Sequence, residues 1–237
     1  GAALAGGINW FDTAEIYGGG QAEEVLAAAL LSNGVAPGQV TVATKWFPLF
    51  RTAASLKRTI DERRRRLQPF GIDLHQVHMP ISLSSPEAQM AAMADLKEAG
   101  LICAVGVSNF PAAWMERAHR ALNKRGLSLA TNQVKYSLLD RRIERNGVLE
   151  SARKLGITLI AWSPLEQGIL TGRYHRDPSL INTLPVARRR LALAVRRSAP
   201  LVVALQQIAA EHAATPAQIA LSWLIHFHGE TIVAIPG

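Results

Sequence analysis

The chain has 237 residues, 49% of them hydrophobic and 19% charged, with 26 Lys and Arg against 18 Asp and Glu for a net charge of +8. That balance excludes intrinsic disorder and matches one large α/β domain over residues 1–237. The single cysteine, Cys103, excludes a disulfide framework, and no apolar run nears the ~18 residues of a membrane span. The N-terminus lacks the basic flank and apolar run of a signal peptide, so a cytoplasmic location is expected. In chain order, short β-branched or apolar runs predict strands at Ile8–Phe11, Val40–Thr44, Leu74–His78, Ala104–Val107, Ala130–Val134, Thr158–Trp162 and Thr231–Ile235. Between them, helical patterns cover Ala22–Ser32, Ala53–Leu67, Pro86–Ala99, Pro111–Arg125, Gly147–Leu155 and Leu201–His226, the last broken near Thr215-Pro216. Gly34, Gly100, Gly126 and Gly156 stand where such helices stop. Strands alternating with helices predict a parallel sheet.

Polar residues gather just after these strands: Asp12 to Tyr17, Lys45, His78, Ser108-Asn109, Gln133 and Ser163. In parallel α/β folds, that end of the sheet carries the chemistry. Gly18-Gly19-Gly20 lacks the spacing of a dinucleotide fingerprint, so a barrel is expected rather than an open doubly wound sheet, with the glycines as a flexible loop before a helix. His75 and His78 lie three apart on a predicted strand and so face opposite ways; no metal is expected. Cys103, inside Leu101-Ile102-Cys103-Ala104-Val105, is expected to be buried and inert. Arg63 to Arg66 and Arg188 to Arg190 with Arg196 and Arg197 read as solvated helix faces, and no nucleic-acid partner is expected.

The segment Gly7-Ile8-Asn9-Trp10-Phe11-Asp12-Thr13-Ala14-Glu15-Ile16-Tyr17-Gly18 resembles the signature of the aldo-keto reductases, and Lys45 and His78 follow at the ends of the next two strands. The resemblance implies a (β/α)8 TIM barrel and reduction of aldehydes or ketones to alcohols by hydride transfer from NADP(H). It also implies a catalytic tetrad of Asp12, Tyr17, Lys45 and His78. Tyr17 would be the general acid: a carbonyl that receives hydride gathers negative charge on oxygen and needs a proton donor there. A free phenol titrates near ~10, so a neighbouring cation, Lys45, is expected to lower the Tyr17 pKa, with Asp12 keeping Lys45 charged. His78 would hydrogen-bond the carbonyl oxygen.

Val105-Gly106-Val107-Ser108-Asn109-Phe110 and Thr131-Asn132-Gln133 resemble the family's carboxamide-binding segments, which implies cofactor contacts for Ser108, Asn109 and Gln133. Ala161-Trp162-Ser163-Pro164-Leu165, Gly168 and Thr171-Gly172-Arg173-Tyr174 resemble the stretch that stacks on the nicotinamide and holds pyrophosphate. That adds Trp162, Ser163, Pro164, Leu165, Gly168 and Arg173 to the cofactor set. Against the family pattern the first strand is missing, the chain stops after the strand matching the family's eighth, and Met79 stands where Trp is frequent. A piece of a longer protein is therefore expected. A regulatory nucleotide-binding protein, resembling potassium channel β subunits and with little turnover, is the alternative. A small-molecule carbonyl substrate is expected as the partner.

Overall fold

A computed structural model describes residues 1–185 and 191–236. The chain divides into two compact units, one comprising Gly1–Gln133 with Glu150–Ile157, the other Val134–Leu149 with Thr158–Gly237.

The first unit opens with a short helix, α1 (Ala2–Ala5). Parallel strands follow in sequence order: β1 (Trp10–Asp12), β2 (Thr41–Trp46), β3 (Leu74–Val77), β4 (Ala104–Ser108) and β5 (Leu129–Lys135), the last crossing into the second unit. Register pairs Asp12 with Ala43, Lys45 with Gln76, and Gly106 with both Gln76 and Thr131, which lines up the strand ends that bear the polar residues. β2 and β3 are buried almost throughout, as expected of parallel strands covered on both faces, so they show apolar runs rather than alternation. The helices α2 (Gln21–Ser32), α3 (Ala54–Leu67), α4 (Pro86–Glu98) and α5 (Ala112–Asn123) fall between them. α4 starts at Ser85, whose hydroxyl accepts the Ala88 N–H, with Pro86 in the first turn. The glycines read as helix stops all have positive φ, 69° at Gly100 for instance.

α6 (Val148–Leu155) leads to the second unit's parallel pair, β6 (Thr158–Trp162) and β7 (Ile232–Ile235). Its helices are α7 (Arg173–Arg176), α8 (Leu191–Glu211) and α9 (Pro216–His226). The core joins Ile169, Tyr174, Ile181 and Val195, and separately Leu170, Leu205 and Ala220.

Three sequence expectations change. Cys103 is exposed, because it falls in the link before β4 where Ile102 takes the buried position beside it. Of the arginines read as solvated, Arg64, Arg65, Arg196 and Arg197 are exposed, but Arg63 is 3% exposed and Arg66 is half-buried, since both turn back onto carboxylates. Arg188 to Arg190 lie outside the described residues. The helix expected from Leu201 already spans Leu191–Glu211 among the described residues and runs through Pro200, because Val195, Ser198, Val202, Leu205 and Ala209 keep one continuous buried face on both sides of it.

Candidate active site

In the first unit Asp12 closes β1, Lys45 is the penultimate residue of β2, and His78 follows β3. Tyr17 opens a 3-10 turn, Tyr17–Gly20, in which Gly18, Gly19 and Gly20 have φ of 58°, 66° and 95°. The glycine run is thus a left-handed turn that swings the chain from Tyr17 into α2. Backbone bonds run across the strand ends: Thr13 N–H to Ala43 O at 2.8 Å and Glu15 N–H to Lys45 O at 3.1 Å.

Lys45 has no exposed surface. Its ammonium donates to an Asp12 carboxylate oxygen and to Thr13 O at 2.9 Å. Burial pushes the Lys45 pKa down, while the Asp12 carboxylate opposes that shift and keeps the charge in place. The other Asp12 oxygen accepts from Gln133 Nε2 at 3.0 Å and Gln76 Nε2 at 3.2 Å. The buried ion pair is therefore nearly saturated with donors, the condition under which such a pair survives in a protein interior.

Above the pair, Lys45 Nζ lies 5.2 Å from the Tyr17 ring centre, and Tyr17 Oη is 3.5 Å from His78 Nε2. The Tyr17 and His78 rings meet edge-on at 5.5 Å, and Phe47 also packs edge-on against His78, at 5.8 Å. Burial and the positive Lys45 hold His78 down to about 4, so the imidazole is neutral at physiological pH. Tyr17 departs from the sequence expectation: its pKa is raised, first by burial and then by the Asp12 carboxylate. Asp12 pairs directly with Lys45, which leaves little of the ammonium's field to act on the phenol.

Ser108 ends β4 beside this cluster and Asn109 follows it. Ser108 Oγ donates to Gln133 O at 3.0 Å, Asn109 Nδ2 donates to Ser108 Oγ at 3.0 Å, and Asn109 adopts φ 59° while its N–H reaches Gln133 O at 2.8 Å. The structure thus brings together seven of the residues singled out from the sequence: Asp12, Tyr17, Lys45, His78, Ser108, Asn109 and Gln133. Sequence reasoning missed Gln76, fully buried on Asp12, and Phe47. Gln76 could have been found from strand alternation, because it stands two residues before His78 and shares its face. Gly106 makes room for it: a Cβ there would collide with Thr131 Oγ1 and Gln76 Cγ.

In the second unit, Trp162 ends β6, with Lys135 Nζ 6.0 Å from its ring centre. The following loop holds Ser163, Pro164, Leu165 and Gly168 in an unusual backbone: Ser163, Glu166 and Gln167 have φ of 52°, 47° and 54° without being glycine. Such strain persists only where the surroundings impose it, and it clusters at binding sites. Arg173 is exposed, packs over the Tyr174 ring at 4.5 Å and donates to Tyr174 Oη at 2.5 Å. Among the described residues no group of three or more His, Cys, Asp or Glu side chains could hold a metal ion, and no helix is long and apolar enough to cross a membrane.

A family model described as "Aldo/keto reductase family" matches residues 1–237. An uncharacterized oxidoreductase of Mycobacterium tuberculosis is 38% identical over 237 residues, covering 99% of this chain and 70% of its own length. The chloroplastic pyridoxal reductase of Arabidopsis thaliana is 32% identical over 249 residues, covering 99% of this chain and 66% of its own. Among solved structures, a thermostable aldo-keto reductase in complex with the inhibitor epalrestat superposes with a TM-score of 0.77 at 31% identity, over 99% of this chain and 73% of the other. The glycerol dehydrogenase of Gluconobacter oxydans gives 0.77 at 27% identity, also over 99% and 73%. Signature, strand-end polar cluster and likeness in structure agree, and the chain belongs to the aldo/keto reductase family, with its TIM-barrel class of fold.

Proposed function

We propose that this protein reduces a small-molecule aldehyde or ketone with NADPH, with Tyr17 as the general acid. The observation that carries the reading is the placement of Tyr17 Oη 3.5 Å from a neutral His78 Nε2, over a buried Lys45–Asp12 pair. Two groups able to hydrogen-bond one oxygen atom face the same space, with a cation behind them.

The residues present fit a nicotinamide cofactor. A primary carboxamide needs both donors and acceptors, and Ser108, Asn109 and Gln133 offer hydroxyl and amide groups in mutual contact beside Asp12. Family membership extends the proposed set to Trp162, Ser163, Pro164, Leu165, Gly168 and Arg173; the strained loop after β6 and the positive net charge suit a polyanionic ligand. Bound NADPH would supply the hydride.

This chain's own groups then handle the oxygen. His78, neutral and holding one N–H, orients the carbonyl; as carbon accepts hydride, the phenolic proton of Tyr17 moves to the oxygen and the alcohol forms. A raised Tyr17 pKa keeps that proton in place before reaction. As the phenolate appears, Lys45 is the nearest cation to offset its charge. Tyr17, 42% exposed, regains its proton from water. A cytoplasmic location belongs to the same reading.

The test is NADPH oxidation at 340 nm with para-nitrobenzaldehyde, with Tyr17→Phe assayed beside the unaltered protein. We expect turnover to fall by at least ~10²-fold in the variant, the usual range for a lost general acid, while NADPH binding followed by fluorescence stays the same. Equal rates in the two proteins would rule out Tyr17 as the acid. Tight NADPH binding without aldehyde-dependent oxidation would favour the regulatory alternative.

A further inference from the structure

The turn that carries Tyr17 has little apolar packing of its own. Ile16, Tyr17, Gly18 and Gly19 are all exposed, and three consecutive glycines give the backbone wide freedom. What flanks this turn is charge. Glu15, two residues before Tyr17, is largely buried; one of its carboxylate oxygens accepts Phe47 N–H and Arg51 Nη1, each at 2.5 Å, and the other accepts Arg63 Nη1. Glu23, in the first turn of α2 beyond the glycines, has no exposed surface; it accepts Thr44 Oγ1 at 2.6 Å and Arg63 Nε at 3.0 Å. Arg63 on α3 thus joins the two sides of the Tyr17 turn. Arg66, one helical turn on, closes over Gly20 so tightly that a Cβ there would overlap its guanidinium, and it is fixed in turn by Glu62.

This network reaches the tetrad through the chain. Thr44 and Phe47, which bond Glu23 and Glu15, bracket Lys45 on β2 and its extension. A buried ion-pair network adds little net stability over an apolar replacement, because desolvation cancels most of the attraction. Its effect is geometric: a planar guanidinium offers a fork of donors that can hold two carboxylates at fixed positions.

We propose that Arg63, paired with Glu15 and Glu23, is a positioning residue for Tyr17, setting the phenol against His78 and Lys45 without touching substrate or cofactor. The proposal rests on the carbonyl-reductase reading above.

Glu15→Gln and Arg63→Lys test it, with para-nitrobenzaldehyde and NADPH as probes. Glu15→Gln keeps the shape but gives up one of two acceptor oxygens; Arg63→Lys keeps the charge but loses the fork. In each we expect kcat to fall by roughly ten- to a hundredfold, the scale of an ångström misplacement, with NADPH affinity unchanged and amide exchange faster from Glu15 to Gly20. In a Tyr17→Phe background, Glu15→Gln should cause no further loss, because the network acts through the phenol. Unchanged kcat in both folded variants, or a loss that multiplies with that of Tyr17→Phe, would overturn the proposal. If the unaltered protein shows no turnover, the carbonyl-reductase reading falls and takes the positioning role with it; an active protein with unaffected variants refutes the positioning role alone.

Discussion

His75 and His78 stand three residues apart and differ in what surrounds them. His78 looks toward Tyr17 and Phe47, while His75 is 1% exposed with neither ring nitrogen hydrogen-bonded. Burial, aided by the positive Arg63, pushes the His75 pKa down to about 3. Unfolded, His75 takes up a proton near its ordinary 6.5; folded, it does so only near 3. Its contribution to stability is therefore complete above about pH 6.5 and is lost progressively as pH falls toward 3, at roughly 2 kcal/mol between pH 7 and pH 5. His78, held at about 4, acts in the same direction. Urea unfolding at pH 7 and pH 5 should show a smaller acid loss in His75→Leu than in the unaltered protein; parallel losses would mean that other groups dominate. At this scale the sequence singled out Asp12, Tyr17, Lys45 and His78, and the structure sets their side chains together. The direction of the Tyr17 shift was not legible in the sequence, because it depends on how much of the Lys45 charge Asp12 already absorbs.

Elements were legible wherever a local signal marks them. All the predicted strands are present, with no end moved by more than two residues, and the predicted helices match except where tertiary contacts overrule composition. α9 illustrates a local signal: Thr215 accepts Gln218 N–H at 3.3 Å, Gln218 Oε1 accepts Thr215 N–H at 2.8 Å, and Pro216 fills the first turn. Thr215→Ala should cost about 1 kcal/mol, read from chemical denaturation, with Thr215→Ser nearly neutral; an unaffected alanine variant would show that packing alone holds the helix. α8 illustrates the opposite, since Pro200 reads as a boundary and the helix runs through it on the strength of a buried face. α7 is only four residues long and bears Arg173, His175 and Arg176, too short and too polar for periodicity to reveal.

For the whole chain, the excess of 26 basic over 18 acidic residues remains after the buried pairs are formed. Arg64, Arg65, Arg196 and Arg197 stay exposed, so the surface field is positive. Stopped-flow association with NADPH, a polyanion, should therefore slow as ionic strength rises, by several-fold or more between low and physiological salt, while dissociation changes less. A rate indifferent to salt would place the positive field away from the cofactor's approach. The same charge, read from sequence as solvated, conceals Arg63, which is buried against carboxylates 48 and 40 positions away in the chain.

By itself the sequence determined the alternation of strand and helix, the family, and which polar side chains stand at strand ends, because these follow from local periodicity and from one contiguous signature. The tertiary structure decided that Gln76 and Gln133 share Asp12, that Arg63 bridges Glu15 and Glu23, that Cys103 faces solvent, and that the Tyr17 pKa moves up rather than down. Each of these depends on distance and burial among residues far apart in the chain, and the free energy of a charge or a hydrogen bond is set by its surroundings, which no local pattern encodes.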